Sequence, residues 1–136
     1  MQINPYLMFN GQCEEAFNFY ARCLGGKIAF MMTYAGTPVE KHVPVEWGNK
    51  ILHATLAIGD QILFGADGTP ETYEEPKGFS VSLNLKDPAE AKRIFDTLSE
   101  KGKVRMALEK TFWAALFGML VDQYGIPWMI NCEQAA

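Results

Sequence analysis

The feature that most constrains this chain is an internal repeat. Leu7, Glu14, Phe19, Gly26, Lys27 and Ile28 have counterparts about 76 positions later, at Leu83, Glu90, Phe95, Gly102, Lys103 and Val104. The pattern of elements repeats with them. Residues 3–9 read as a strand that begins near Pro5, and residues 12–24 as a helix with apolar Ala16, Phe17, Phe19, Tyr20, Cys23 and Leu24 at helical spacing, closed by Gly25-Gly26. Strands follow over 27–34, 50–58 and 61–66, the last two joined at Gly59-Asp60. The second half restarts with a strand over 79–86 and a helix over 88–101 that opens on Asp87-Pro88 and closes at Gly102. Strands over 103–110, 114–122 and 127–133 complete it. Two supersecondary units, 1–68 and 78–134, thus make up one domain over 1–136, each too small to bury both faces of its own sheet. A pocket is expected where two such units join.

Composition agrees with a self-sufficient core. The chain has 136 residues, 49% of them apolar, so neither a disulfide nor a metal staple is needed and disorder is excluded. A net charge of −4 argues against a nucleic-acid partner. No apolar run reaches the roughly 18–20 residues of a membrane helix, and Met1-Gln2-Ile3-Asn4-Pro5 lacks the features of a signal peptide, so a cytoplasmic protein without a membrane partner is expected. The three cysteines, Cys13, Cys23 and Cys132, match no zinc spacing. Cys13 and Cys23 stand about 15 Å apart along one helix, too far to bridge, and free buried thiols are expected. No G-x-G-x-x-G turn is present, which speaks against a Rossmann-type methyltransferase.

Several stretches resemble a known family. They are Pro5-Tyr6-Leu7-Met8-Phe9-Asn10-Gly11, Phe19-Tyr20 before Leu24-Gly25-Gly26, and Ile51-Leu52-His53-Ala54 before Gly59-Asp60. Thr111-Phe112-Trp113, Phe117-Gly118 and Asp122-Gln123-Tyr124-Gly125-Ile126-Pro127-Trp128 continue the match over nearly the whole chain. The chain resembles the PhnB-like branch of the vicinal oxygen chelate superfamily, which includes glyoxalase I, bleomycin-resistance proteins and extradiol dioxygenases. The branch also carries a 3-demethylubiquinone-9 3-methyltransferase-like label. The resemblance implies an α+β fold of two tandem βαβββ modules whose U-shaped mixed sheets surround a cavity. It also implies a small-molecule ligand and a homodimer.

Metal-dependent relatives place one ligand on each of the first, fourth, fifth and eighth strands. Carried onto this chain, those positions fall at Pro5, at Phe64 or Gly65, at Phe79 and at Met129. None offers a carboxylate, amide or imidazole donor, so no metal or other cofactor is expected.

His53 is the leading single residue. In its strand Leu52, Ala54, Leu56 and Ile58 alternate with Ile51, His53, Thr55 and Ala57, so that His53 and Thr55 are predicted on the face away from the helix. Glu133 is the candidate partner acid or base, with His53 as the other catalytic group. Thr55, Trp113, Trp128, Tyr34 and Trp47 are the candidate ligand-contacting residues, and the loop over 35–49 a candidate lid. Asp122 is read as shaping the turn before Pro127, and Asp60 and Asp67 as turn residues. The leading expectation is metal-independent small-molecule binding. The alternatives are a lyase, dioxygenase or thiol transferase, metal-dependent or with a rearranged site on His53 and Glu133, and an antibiotic-sequestering resistance protein.

Overall fold

The computed structural model describes residues 1–134 and divides into two compact units, one over Met1–Glu74 and one from Glu75 onward. The first unit runs β1 (Tyr6–Phe9), α1 (Cys13–Leu24), β2 (Lys27–Thr33), β3 (Ile51–Ile58) and β4 (Gln61–Asp67). Its sheet has the order β1-β4-β3-β2, with β1 parallel to β4 and the other pairs antiparallel. The second unit repeats this with β5 (Val81–Leu85), α2 (Pro88–Leu98), β6 (Lys103–Glu109), β7 (Ala114–Val121) and β8 (Pro127–Glu133), in the order β5-β8-β7-β6. The α+β, twice-βαβββ architecture read from the sequence is the one observed.

In each unit the helix covers one face of its sheet. On α1 the buried side chains include Ala16, Phe17, Phe19, Tyr20 and Cys23; on α2 they are Ala91, Ile94, Phe95 and Leu98. Both helices seat a phenylalanine on a strand glycine. A Cβ at Gly65 would lie 2.6 Å from the Phe17 ring, and one at Gly118 would lie 2.7 Å from the Phe95 ring. Only glycine lets helix and sheet approach so closely. Asp87 caps α2 by accepting the Ala89 N–H at 3.0 Å, with Pro88 in the first turn.

Some boundaries moved for local reasons. Residues 3–5 stay outside β1, although the Pro5 carbonyl still accepts the Phe64 N–H. Helix α2 stops at Leu98 rather than 101, because Ser99 leaves the helix and Lys101 takes a positive φ of 58° before the Gly102 N–H closes the turn on the Ser99 carbonyl. The 35–49 segment contains two short 3-10 turns, Glu40–His42 and Val45–Trp47.

Asp67 corrects an expectation. It is no exposed turn residue but the buried last residue of β4, 1% exposed. One carboxylate oxygen accepts the Cys13 N–H at 2.9 Å and the other the Ile51 N–H at 2.8 Å. A single side chain therefore ties the start of α1 and the start of β3 to the end of β4. Asp122 plays a related part in the second unit, as the sequence suggested. Its Oδ1 accepts the Tyr124 and Ile126 N–H groups, and its Oδ2 accepts the Trp128 indole N–H at 2.9 Å.

Removing either acceptor strands buried donors, each at a cost of about 1–3 kcal/mol. Asp67→Ala is expected to lower stability by about 3 kcal/mol in urea denaturation, whereas Asp60→Ala is expected to change it by less than about 0.5 kcal/mol. The Asp60 carboxylate is exposed and, among the described residues, accepts a hydrogen bond from the Gln61 side chain alone. Equal effects would contradict this assignment.

Alkaline stability follows from the same corner. Burial, then the Asp67 carboxylate and Glu14, push the Cys13 thiol far above its ordinary pKa of 9.0. A raised folded-state value favours the folded chain below the unfolded value and loses that advantage as pH rises past it. Melting temperature is expected to fall as pH rises above 9.0. Cys13→Ala should flatten the onset of that fall; an unchanged slope would contradict the assignment.

Candidate functional site

Strand alternation leaves the helix-free face of the first sheet open. His53 and Thr55 emerge there from β3, as the sequence predicted, while Ala54 and Leu56 are fully buried beneath α1. Cross-strand pairing then decides their neighbours. Tyr6 on β1 pairs with Phe64 on β4, Phe64 with Thr55, and Thr55 with Phe30 on β2; His53 pairs with Met32. The result is a patch of aromatic and sulfur-bearing side chains around one imidazole. The His53 ring lies 5.2 Å from Phe64, 5.6 Å from Tyr6 and 6.1 Å from Phe30, centroid to centroid.

Both imidazole nitrogens are engaged. The Tyr6 hydroxyl is 3.0 Å from Nδ1, and the Thr55 hydroxyl is 3.3 Å from Nε2. Burial, followed by the influence of Cys13 and Tyr34, raises the Tyr6 pKa above its ordinary 10.0, so the phenol keeps its proton near neutrality. A neutral imidazole has one donor and one acceptor nitrogen. A phenol that donates to Nδ1 requires the hydrogen on Nε2, which would then face the Thr55 hydroxyl as a donor; the opposite tautomer reverses both roles. Tyr6, Phe30 and Phe64 were missed as site residues by sequence reasoning. For Tyr6 and Phe64, period-2 placement opposite the buried Leu7 and Phe9 in β1 and Leu63 in β4 was the signal that could have found them; Phe30 follows a register shift in β2, where period-2 counting breaks.

Two of the candidate residues in this unit lie elsewhere. Tyr34 is 8% exposed and donates its hydroxyl hydrogen to the Asp67 carbonyl at 2.7 Å, so it is a core strut and not a ligand contact. Trp47 donates its indole hydrogen to the Gly68 carbonyl at 3.1 Å, and Lys50 lies over its ring. Backbone bonds from Tyr34 to Lys50 and from Ala35 to Gly48 close the base of the 35–49 loop. That base is pinned.

In the second unit the helix-free face carries Ser82 and Asn84 from β5, Met129 and Asn131 from β8, and Phe117 and Met119 from β7. Trp113 is 49% exposed and leans on Phe117 at 5.3 Å. Asn131 donates to the Asn84 carbonyl oxygen at 3.2 Å, while its own carbonyl oxygen is buried and lacks a partner among the described residues. Glu133 is exposed at the end of β8, opposite Ala114. Trp128 is a correction. It is 0% exposed, faces the core and gives its N–H to Asp122, so it forms no wall for a ligand.

The positions that would carry a chelated metal do not fit one. Phe64 presents a ring to His53, Gly65 lies under Phe17, Met129 offers a thioether and Phe79 a phenyl ring. Among the described residues no three His, Cys, Asp or Glu side chains converge closely enough to hold an ion. Among the same residues no helix is long and apolar enough to cross a membrane.

The twofold βαβββ arrangement defines a vicinal oxygen chelate fold. Structural likeness to the fosfomycin resistance protein FosX of Listeria monocytogenes, at a TM-score of 0.68 and 5% identity over 98% of this chain and 94% of that one, shows this fold alone. Within the superfamily, the chain belongs to the PhnB-like family described as 3-demethylubiquinone-9 3-methyltransferase, whose model matches residues 1–131. It is 33% identical to Protein YjdN of Escherichia coli over 96% of this chain and 95% of that protein. The crystal structure of PA1353 from Pseudomonas aeruginosa is similar at a TM-score of 0.90 and 47% identity, covering 99% of each chain. A Bacillus cereus PhnB protein under the same methyltransferase label matches at a TM-score of 0.82 and 24% identity, over 97% of this chain and 99% of that one.

The hydrogen bonding around His53 is directly measurable. Two-bond proton–nitrogen correlation spectra near neutral pH are expected to show the Nε2–H tautomer, and Tyr6→Phe should bring the two tautomers closer to balance. A dominant Nδ1–H form in the unaltered protein would contradict the arrangement.

Proposed function

We propose that this protein binds a small, flat or apolar molecule on the open face of its first sheet, and does so without the divalent metal used by its chelating relatives. The observation that carries the reading is the His53 cluster. An imidazole held by Tyr6 and Thr55 stands among Phe30 and Phe64, the former 46% exposed although large and apolar. Pockets that bind organic molecules combine apolar walls with a few fixed polar groups, and this patch has both. The donor set supports the metal-free part, because soft or ring-bearing side chains stand where hard ligands would be required. The cytoplasmic setting and homodimeric state read from the sequence belong to the same proposal.

A second reading, an enzyme with a rearranged site, is favoured by one feature. The Tyr6 hydroxyl and the His53 imidazole form a hydrogen-bonded pair of proton-carrying groups on an accessible surface. In that reading His53 is the base and Tyr6 its positioning partner. Turnover that survives both His53→Ala and Tyr6→Phe would remove it.

The binding reading is tested with a neutral aromatic probe. Titration of indole into isotope-labelled protein is expected to shift the resonances of Tyr6, Phe30, His53 and Phe64 together. Phe64→Ala should weaken that binding by about five-fold or more, as loss of a ring contact worth about 1 kcal/mol implies. Shifts confined to other regions would overturn the assignment of the site.

A further inference from the structure

The second unit carries its own depression, of about 400 Å³, on the helix-free side of its sheet. Its apolar lining includes Phe79, Met119, Val121, Pro127 and Met129. Two of these, Phe79 and Met129, occupy positions where a chelating relative would hold a metal. The charged groups that line it are Lys77, Arg105 and Glu75, a net single positive charge.

Arg105 is placed there by an irregularity in the sheet. Pairing between β6 and β7 runs from Val104 opposite Leu120 to Met106 opposite Met119. Arg105 is the extra residue of that β-bulge, and bulges serve to re-aim a side chain. Among the described residues the ion pairs are Lys92 with Asp96 and Arg93 with Glu90, so Arg105 and Lys77 have no carboxylate partner. An unpaired guanidinium beside an apolar hollow matches a molecule with an anionic head and an apolar body. The guanidinium fork binds two oxygens of a carboxylate or similar oxyanion side by side.

We infer that this depression binds a small organic oxyanion, with Arg105 holding its two oxygens and Phe79, Met119 and Met129 covering its apolar part. The inference rests on the metal-free small-molecule reading and adds a ligand class and a second site.

The probe pair is octanoate and octanol, which share an apolar chain and differ in the anionic head. Each is titrated into the full-length protein with backbone amide resonances recorded. Octanoate is expected to shift the amides of residues 77–80, 105, 119 and 129, and to bind at least about five-fold more tightly than octanol. Arg105→Gln should remove that preference and leave octanol binding unchanged, and raising the salt from about 0.1 M to about 0.5 M should weaken octanoate alone. Arg105 is exposed, so the variant is expected to fold, and octanol binding reports that the hollow is intact. Equal binding of the two probes, or a preference that survives Arg105→Gln, would overturn the oxyanion assignment while leaving the metal-free binding reading standing. Failure of both probes to bind in the depression would overturn the assignment too. The metal-free reading itself falls only to a bound metal.

Discussion

The carboxylate of Asp67 sets the frame on which the first sheet's site is built. It is buried, and each oxygen accepts a backbone hydrogen from a different element, one at the start of α1 and one at the start of β3. His53 lies two residues after Ile51 on β3, and Phe64 lies three residues before Asp67 on β4. Phe9, at the far end of β1 from Tyr6, pairs directly with Asp67. The three strands that carry Tyr6, Phe64 and His53 thus meet at or beside one side chain. A buried charge is tolerated here because its hydrogen bonds replace those lost to water. Tyr34 reinforces the same corner by donating to the Asp67 carbonyl.

Much of this architecture was legible in the sequence. Period-2 and helical patterns, with Gly25, Asp87-Pro88 and Gly59-Asp60 as punctuation, located the strands and α-helices of the described residues but not the two 3-10 turns in 35–49, and strand alternation put His53 and Thr55 on the helix-free face. What was not legible had a common physical cause. Aromatic side chains such as Tyr34 and Trp128 carry one polar atom, and sequence alone does not say whether it meets water, a ligand or the core. Here Trp128 satisfies its N–H on Asp122 and Tyr34 its hydroxyl on a backbone carbonyl, and both are buried. Asp67 was misjudged for the mirror-image reason: an aspartate near a glycine reads as a turn, and its two long-range acceptor roles depend on register. Tyr6, Phe30 and Phe64 became site residues only once cross-strand pairing brought them around His53.

The family's methyltransferase label and the superfamily's metal chemistry both meet resistance from the residues themselves. No glycine-rich nucleotide turn precedes either helix, and phenyl, thioether and glycine stand at the positions of the chelating ligands. What the open faces offer instead is aromatic area around fixed polar groups: an imidazole in the first unit, and in the second a pair of asparagines and a guanidinium with no carboxylate partner among the described residues. Such surfaces recognise organic molecules by shape and by one or two oriented hydrogen bonds.

The central claim is that recognition here does without a chelated metal, and calorimetric titration of the apo protein with zinc and nickel tests it most directly. The account predicts no stoichiometric binding tighter than roughly the micromolar range. One ion bound per chain at nanomolar affinity, lost in His53→Ala, would contradict it.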